Sequence, residues 1–217
     1  MIICDSPQGS SQWFEDRAGA ITGSMFPVIM DKYKAGAKKG EFKSAALDYA
    51  FRLAIERISG EALQDGQFET YAMRRGHELE PDARYAHSFA YGIKVEPCGF
   101  IKTDDGKFGV SADGLIGDDG GSEYKCFIAP EKLRAILIDN DPGDSFWQVQ
   151  GGLWLTGRKW WHFGLYCPHL AACGRSLHVI PYERDEEAIE ELEKELLRFD
   201  ELVESYRSKI LEESKAG

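Results

Sequence analysis

The chain has no run of about 18 apolar residues, so nothing in it reads as a membrane span. Its opening stretch, MIICDSPQGSSQWFEDR, lacks the basic start and apolar core of a secretory signal. A cytoplasmic protein is expected. Cysteine is scarce: Cys4, Cys98, Cys126, Cys167 and Cys173 make an odd count of 5 with no C-x-x-C pair. That argues against a disulfide framework and signals neither a zinc site nor a grouped iron–sulfur ligand set. Positive charge is short as well, 26 Lys and Arg against 37 Asp and Glu, for a net charge of −11. Such a surface speaks against loose nucleic-acid binding by the whole protein, but leaves room for a local basic groove. No repeat and no convincing domain boundary is visible.

What is present is an ordinary globular composition, 43% hydrophobic and 29% charged over 217 residues, enough for one domain with its own core. The scarce positive charge is unevenly placed. KYKAGAKK at 32–39 holds four lysines, and Arg74 and Arg75 are adjacent, whereas acid collects in the C-terminal tail.

Hydrophobic spacing predicts a short helix over 11–19 capped by Ser10 or Ser11, and another over 24–31 with Ser24 as N-cap and Pro27 in its first turn. A lysine- and glycine-rich loop runs to Gly40. Phe42, Ala46, Tyr49 and Leu53 fall on one face of a helix over 42–58. A longer helix over 68–91 is expected to break or kink near Pro81, which cannot donate to the carbonyl of His77. The period then changes to two. Segments near 93–96, 100–103, 107–112, 115–118 and 122–128 read as a strand meander. Helices over 131–138 and from Asp144 or Ser145 to about Thr156 follow, then strands near 159–167 and 176–182. The tail from about 185 to 213 is one long helix. Its stripe of Ile189, Leu192, Leu196, Phe199, Val203, Tyr206 and Ile210 suits a coiled-coil seam or, more often, packing on the domain's own sheet.

The stretch SADGLIGDDGGSEYKC, 111–126, carries the chemistry. Side chains on a strand alternate faces, so Ser111 and Asp113 share one face before the turn, and Glu123 and Lys125 share one after it. Two carboxylates and a backbone carbonyl suit a hard cation such as magnesium. A neighbouring lysine can orient or deprotonate water or meet charge developing on a phosphate. A solvated hairpin is the plainer alternative, and the apolar flanks Phe108, Val110, Phe127 and Ile128 weigh against it. Glu78, Glu80 and Asp82 in RRGHELEPDARYAH are a second source of acid, of which one can face the cation. Gln148 and Gln150, set among Phe146, Trp147, Leu153 and Trp154, either satisfy buried backbone or bind a polar ligand.

Asp113 followed by Glu123-x-Lys125 resembles the PD-(D/E)xK nuclease signature, with Ala112 in place of the usual proline. Together with QGSSQWFEDRAGAITGS, GHELEPDARYAH and FWQVQGGLWLTGRKWWHFGLYCP, in that order, it resembles the phage lambda exonuclease family, also called YqaJ-like or alkaline exonucleases, over roughly residues 8–185. The resemblance implies an α/β, restriction-endonuclease-like fold with a central mixed β-sheet flanked by helices, forming a single nuclease domain over 1–217. It implies an Mg2+-dependent, processive 5′→3′ exonuclease on double-stranded DNA ends. Mn2+ would substitute for Mg2+, and Ca2+ would not support turnover. Asp113, Glu123 and the Tyr124 backbone carbonyl correspond to the catalytic metal ligands, and Glu80 to a helix-borne acid for a second metal. Lys125 corresponds to the lysine that positions the attacking water, Gln150 to a glutamine beside that water, with Gln148 its neighbour. Arg17, Ser24 and Ser111 match positions that hold a 5′-phosphate. Met73 matches a strand-separating wedge, and the lysines of 32–39 match a contact to the duplex. A homotrimeric ring, a single-strand annealing protein as partner and a bacterial or phage-infected cell complete the expectation. The alternatives are an endonuclease of the same superfamily and an inactive DNA-end-binding module.

Overall fold

The computed structural model describes residues 1–63 and 70–213. In chain order the elements are β1 (Ile2–Cys4), α1 (Ser11–Arg17), β2 (Ile21–Thr22), α2 (Phe26–Met30), α3 (Ser44–Ser59), α4 (Tyr71–Tyr91), β3 (Phe100–Lys102) and β4 (Phe108–Ser111). There follow β5 (Gly114–Ile116), β6 (Gly120–Lys125), α5 (Pro130–Asp139), α6 (Ser145–Thr156), β7 (Trp160–Tyr166), β8 (Leu177–Glu183) and α7 (Glu186–Glu213). They form two compact units: Met1–Gln64 with Gly99–Ser111 and Asp185–Gly217, and Asp65–Cys98 with Ala112–Arg184.

The first unit holds a sheet in the order β1-β3-β4-β2, antiparallel except for the parallel β2–β4 pair. Ser10 caps α1, its hydroxyl accepting the Trp13 N–H at 3.2 Å. Ser24 does not cap the next helix. It sits in a 3-10 turn, Gly23–Met25, and α2 begins after it with Pro27 in its first turn. The apolar stripe of α7 is buried from Ile189 to Val203 and packs on helices α3 and α2 rather than on a sheet. Phe199 is its centre, edge-on to Phe42 and stacked on Tyr49 at 5.7 Å. Each such fully buried side chain contributes about 1.5–3 kcal/mol. The polar margin of this packing is ionic: Asp200 accepts from both Arg57 and Lys107 at 2.6 Å.

The second unit holds a sheet in the order β5-β6-β7-β8, again antiparallel apart from one parallel pair, β6–β7. Helix α4 packs on the face that carries Tyr124, and α6 on the face that carries Glu123 and Lys125. Gly121 and Gly152 admit the ring of Trp161, since a Cβ on Gly121 would stand 2.3 Å from it. Pro81 lies inside α4, which runs unbroken to Tyr91 and closes on left-handed Gly92. The expected start of that helix at 68 lies outside the described residues. The mixed sheet flanked by helices is therefore present in each unit, two sheets where one central sheet was expected.

The meander differs from the sequence reading in one respect that matters for the site. The segment 93–96 contributes only a bridge, Glu96 to Leu115. The strand expected over 107–112 ends at Ser111, and β5, starting at Gly114, belongs to the other sheet. Asp113 is thus a link residue, and the shared face inferred for Ser111 and Asp113 does not apply. The next residue has to be glycine, because a Cβ on Gly114 would come within 2.3 Å of the Val95 side chain.

Candidate active site

Within the second unit, β6 carries the site. It is an internal strand, so the acids stand at its end and not at a sheet edge. Glu123 and Asp113 are buried, 5% and 8% exposed, which rules out the solvated hairpin. The Asp113 N–H donates to the Ser122 carbonyl at 3.2 Å, and its carboxylate Oδ2 accepts the Tyr124 N–H at 2.6 Å. The carboxylate thus takes the place of the next backbone acceptor where β5 is displaced from the ladder.

On the opposite face, Glu123 Oε1 accepts from Lys125 Nζ and from Gln148 Nε2, both at 2.7 Å. Lys125 also donates to Gln148 Oε1 at 3.1 Å, closing a three-residue ring. Gln148, expected only as a neighbour, is therefore the glutamine bonded to both the acid and the lysine. Gln150 is buried on the same helix and donates to the Glu183 carbonyl at 3.1 Å.

Glu80 reaches the cluster electrostatically from α4. Burial, then Glu123 and Glu80, hold the Asp113 carboxyl well above the usual carboxylate range, against the pull of Lys125 and the Tyr124 N–H. Burial also raises Glu80, opposed chiefly by Arg84. Burial alone would lower the Lys125 ammonium, but Glu123 and Asp113 overcome it and hold it up. Glu78 and Asp82 face solvent. Arg84 is a residue the sequence reading missed. It is bonded to Glu80 one turn earlier and donates from Nε to the Asp113 carbonyl at 2.9 Å. The Glu80–Arg84 spacing of i,i+4 was the available signal.

Among the described residues, no three carboxylates, thiols or imidazoles already stand as a metal cage. The donor set nevertheless fits a hard divalent ion. Asp113 Oδ1 and Glu123 Oε2 have no protein donor among the described residues, and the carboxylates of Asp113, Glu123 and Glu80 raise one another's affinity for positive charge.

The first unit holds the expected phosphate-binding residues. Arg17 lies 3.9 Å above the Trp13 ring and 5.8 Å from that of Phe100. Among the described residues it makes no ion pair, although the Glu56 carboxylate reaches it electrostatically. Burial holds its guanidinium down to about 10, well below the usual guanidinium range. Its segment is fixed from α3, where Glu56 accepts the Gly19 N–H and Arg57 donates to the Gly19 carbonyl, both at 2.9 Å. Ser111 is the register partner of Phe100, and its buried hydroxyl has no hydrogen-bond partner. Ser24 follows the end of β2, which runs parallel to β4, and its exposed hydroxyl lies 3.4 Å from that of Thr22. Arg17 and Ser111 thus both neighbour Phe100, and Ser24 follows β2 where that strand runs parallel to β4.

Of the remaining expectations, Met73 is 54% exposed in the first turn of α4. Lys32 is paired with Glu195 at 2.9 Å, whereas Lys34, Lys38 and Lys39 face solvent.

The model of the YqaJ-like viral recombinase domain matches residues 12–159, most of the chain. The chain belongs to that family. Its structure is similar to the alkaline exonuclease LHK-Exo from Laribacter hongkongensis, with 28% identity and a TM-score of 0.79 over 95% of this chain and 99% of that one. The same enzyme in complex with dAMP gives a TM-score of 0.80. A phage-related exonuclease from Haemophilus somnus 129PT shares the fold at 15% identity, with a TM-score of 0.68 over 90% of this chain and 96% of that one. No curated protein matches the sequence. The fold of this family member is the restriction-endonuclease-like one expected. No helix among the described residues is long and apolar enough to cross a membrane.

Proposed function

We propose that the protein is an Mg2+-dependent 5′→3′ exonuclease on double-stranded DNA ends. It would release 5′-mononucleotides and leave a 3′ overhang for a single-strand annealing protein. The observation that carries this reading is the buried Asp113–Glu123–Lys125 cluster at the end of β6 in a YqaJ-like family member. The similar Laribacter enzyme, an exonuclease crystallised with a deoxynucleoside monophosphate, supports the class of product.

Asp113 and Glu123 would hold the catalytic ion, with the Tyr124 carbonyl, and Glu80 would help hold a second. A bound divalent cation supplies Lewis-acid neutralisation of phosphate charge and lowers the pKa of water. The chain's own residues do the rest. The Gln148 amide bridges Lys125 and Glu123, fixing both rotamers. The Lys125 ammonium, held protonated by its two acidic neighbours, orients water and meets charge developing on the scissile phosphate. Gln150 is retained as a candidate beside the attacking water. Arg17 offers a largely desolvated charge to a terminal 5′-phosphate, with the Ser24 and Ser111 hydroxyls as donors. Met73 would part the strands and the exposed lysines of 32–39 would touch the duplex. A homotrimer enclosing DNA reconciles a net charge of −11 with this substrate and makes digestion processive.

Digestion of a linear duplex labelled at one end, with Mg2+ or EDTA and beside a closed circle, tests the reading. Mg2+-dependent loss from the 5′ end with the circle spared is the expected result. Cutting of the circle identifies an endonuclease, and binding without cleavage identifies an end-binding module.

A further inference from the structure

Behind β6, on the face away from Glu123 and Lys125, lies a buried polar chain that the reaction above does not use. His87 is completely buried. Its Nδ1 is 2.7 Å from the Tyr124 hydroxyl, and its Nε2 is 2.9 Å from Nδ1 of His162. Tyr124 is itself buried, and its ring lies across Gly164 on the neighbouring strand, where a Cβ would stand 2.8 Å away. His162 is enclosed by rings, with Trp160 at 4.6 Å and Tyr91 at 5.5 Å.

We infer that Tyr124, His87 and His162 form a positioning chain that fixes β6 against α4 and so sets where the Asp113 carboxylate stands. The inference rests on the reading of Asp113 as a metal ligand. The link is Tyr124. Its hydroxyl meets His87, and its backbone N–H holds Asp113 Oδ2 at 2.6 Å. An apolar ring in this slot would pack as well but could slide. A hydroxyl held in a short hydrogen bond inside the core cannot, because leaving a buried partner unpaired is costly. The geometry also orders the protons. Each histidine–partner contact needs one donor and one acceptor, so choosing the Tyr124 proton's direction fixes the tautomers of His87 and His162 together. The helix that carries His87 carries Glu80 and Arg84 on the same face, spaced i, i+4 and i+7. One rigid element thereby registers the helix-borne acid and, through Tyr124, the strand-borne one. Such outlying partners matter because a site needs its groups held within about 0.5 Å.

Tyr124→Phe is the test, since it removes one oxygen and leaves the backbone and ring in place. Mn2+ binding to the protein alone is followed by electron paramagnetic resonance, and kcat and KM are measured on linear duplex. Loss of about tenfold in both Mn2+ affinity and kcat, with KM for DNA unchanged, is expected. His87→Phe should lose a similar factor, and the double variant should be no worse than either single one, because one chain is cut only once. If His87→Phe does not fold, Tyr124→Phe alone decides. Variants with Mn2+ affinity and kcat within about twofold of wild type, even if they melt earlier, would make the chain merely structural and overturn the inference. A wild type that binds no Mn2+ and cuts no DNA would instead sink the proposed function, and this inference with it.

Discussion

Replacing Arg17 by methionine should stabilise the free protein while removing its hold on a 5′-phosphate. The guanidinium is held down at about 10, chiefly by burial, with Arg52 adding to that effect and Tyr49 and Glu56 opposing it. A folded state that lowers a base's pKa disfavours its charged form. The penalty is present at every pH below about 10 and disappears at higher pH, as the pH rises through the range of a free guanidinium, because the unfolded chain binds the extra proton in between. At about 1.4 kcal/mol per tenfold change in proton affinity, the full displacement corresponds to roughly 3 kcal/mol. Water still reaches this half-buried side chain, which reduces the figure to about 1–2 kcal/mol. Loss of the stacking on Trp13 takes back about 0.5–1 kcal/mol. Methionine keeps most of the volume. The net expectation is a gain near 1 kcal/mol, or about 2–4 °C in Tm for a chain of this size. The assay is thermal unfolding with and without a 5′-phosphorylated oligonucleotide in Ca2+, beside digestion of phosphorylated and hydroxyl ends. Ligand should raise the wild-type Tm by mass action and leave the variant's unmoved. A variant that melts several degrees lower, or that keeps the preference for phosphorylated ends, would refute the reasoning.

Lys125→Ala should lower kcat by about a hundredfold or more while DNA binding in Ca2+ persists, and turnover within a few-fold of wild type would remove its role. Gln148→Ala should cost more activity than Gln150→Ala, because Gln148 bridges Lys125 and Glu123; steady-state rates on linear duplex decide the order. Mg2+ should stabilise the wild type by about 2–3 kcal/mol at a hundredfold excess over its Kd, read as a rise in Tm, and Asp113→Asn should abolish most of that rise. Light scattering at working concentration should return three chains, and a monomer would exclude the ring.

Regular periodicity was legible because it is a property of the backbone. The 3.6-residue stripe located α7 and its buried positions from Ile189 to Val203. The two-residue alternation put Glu123 and Lys125 on one face of β6 and Tyr124 on the other. Terminators were readable as well, as at α6, which ends at Thr156 before Gly157. Where periodicity was extended across a break it misled. Ser111 and Asp113 were given one strand, but the chain leaves one sheet at Ser111 and enters another at Gly114.

The sequence by itself determined which residues carry charge and hard oxygen at the site, and which faces of β6 Glu123, Tyr124 and Lys125 occupy. Only the tertiary structure decided who meets whom. It made Asp113 the acceptor for the Tyr124 N–H and chose Gln148 to bridge acid and lysine. It joined Arg84 to the Asp113 carbonyl and buried Arg17 against the Trp13 ring. Such pairings span tens of residues, and hydrogen bonds form or fail over a few tenths of an ångström. Local spacing fixes directions only along one element, so distances between elements are settled by how their cores pack.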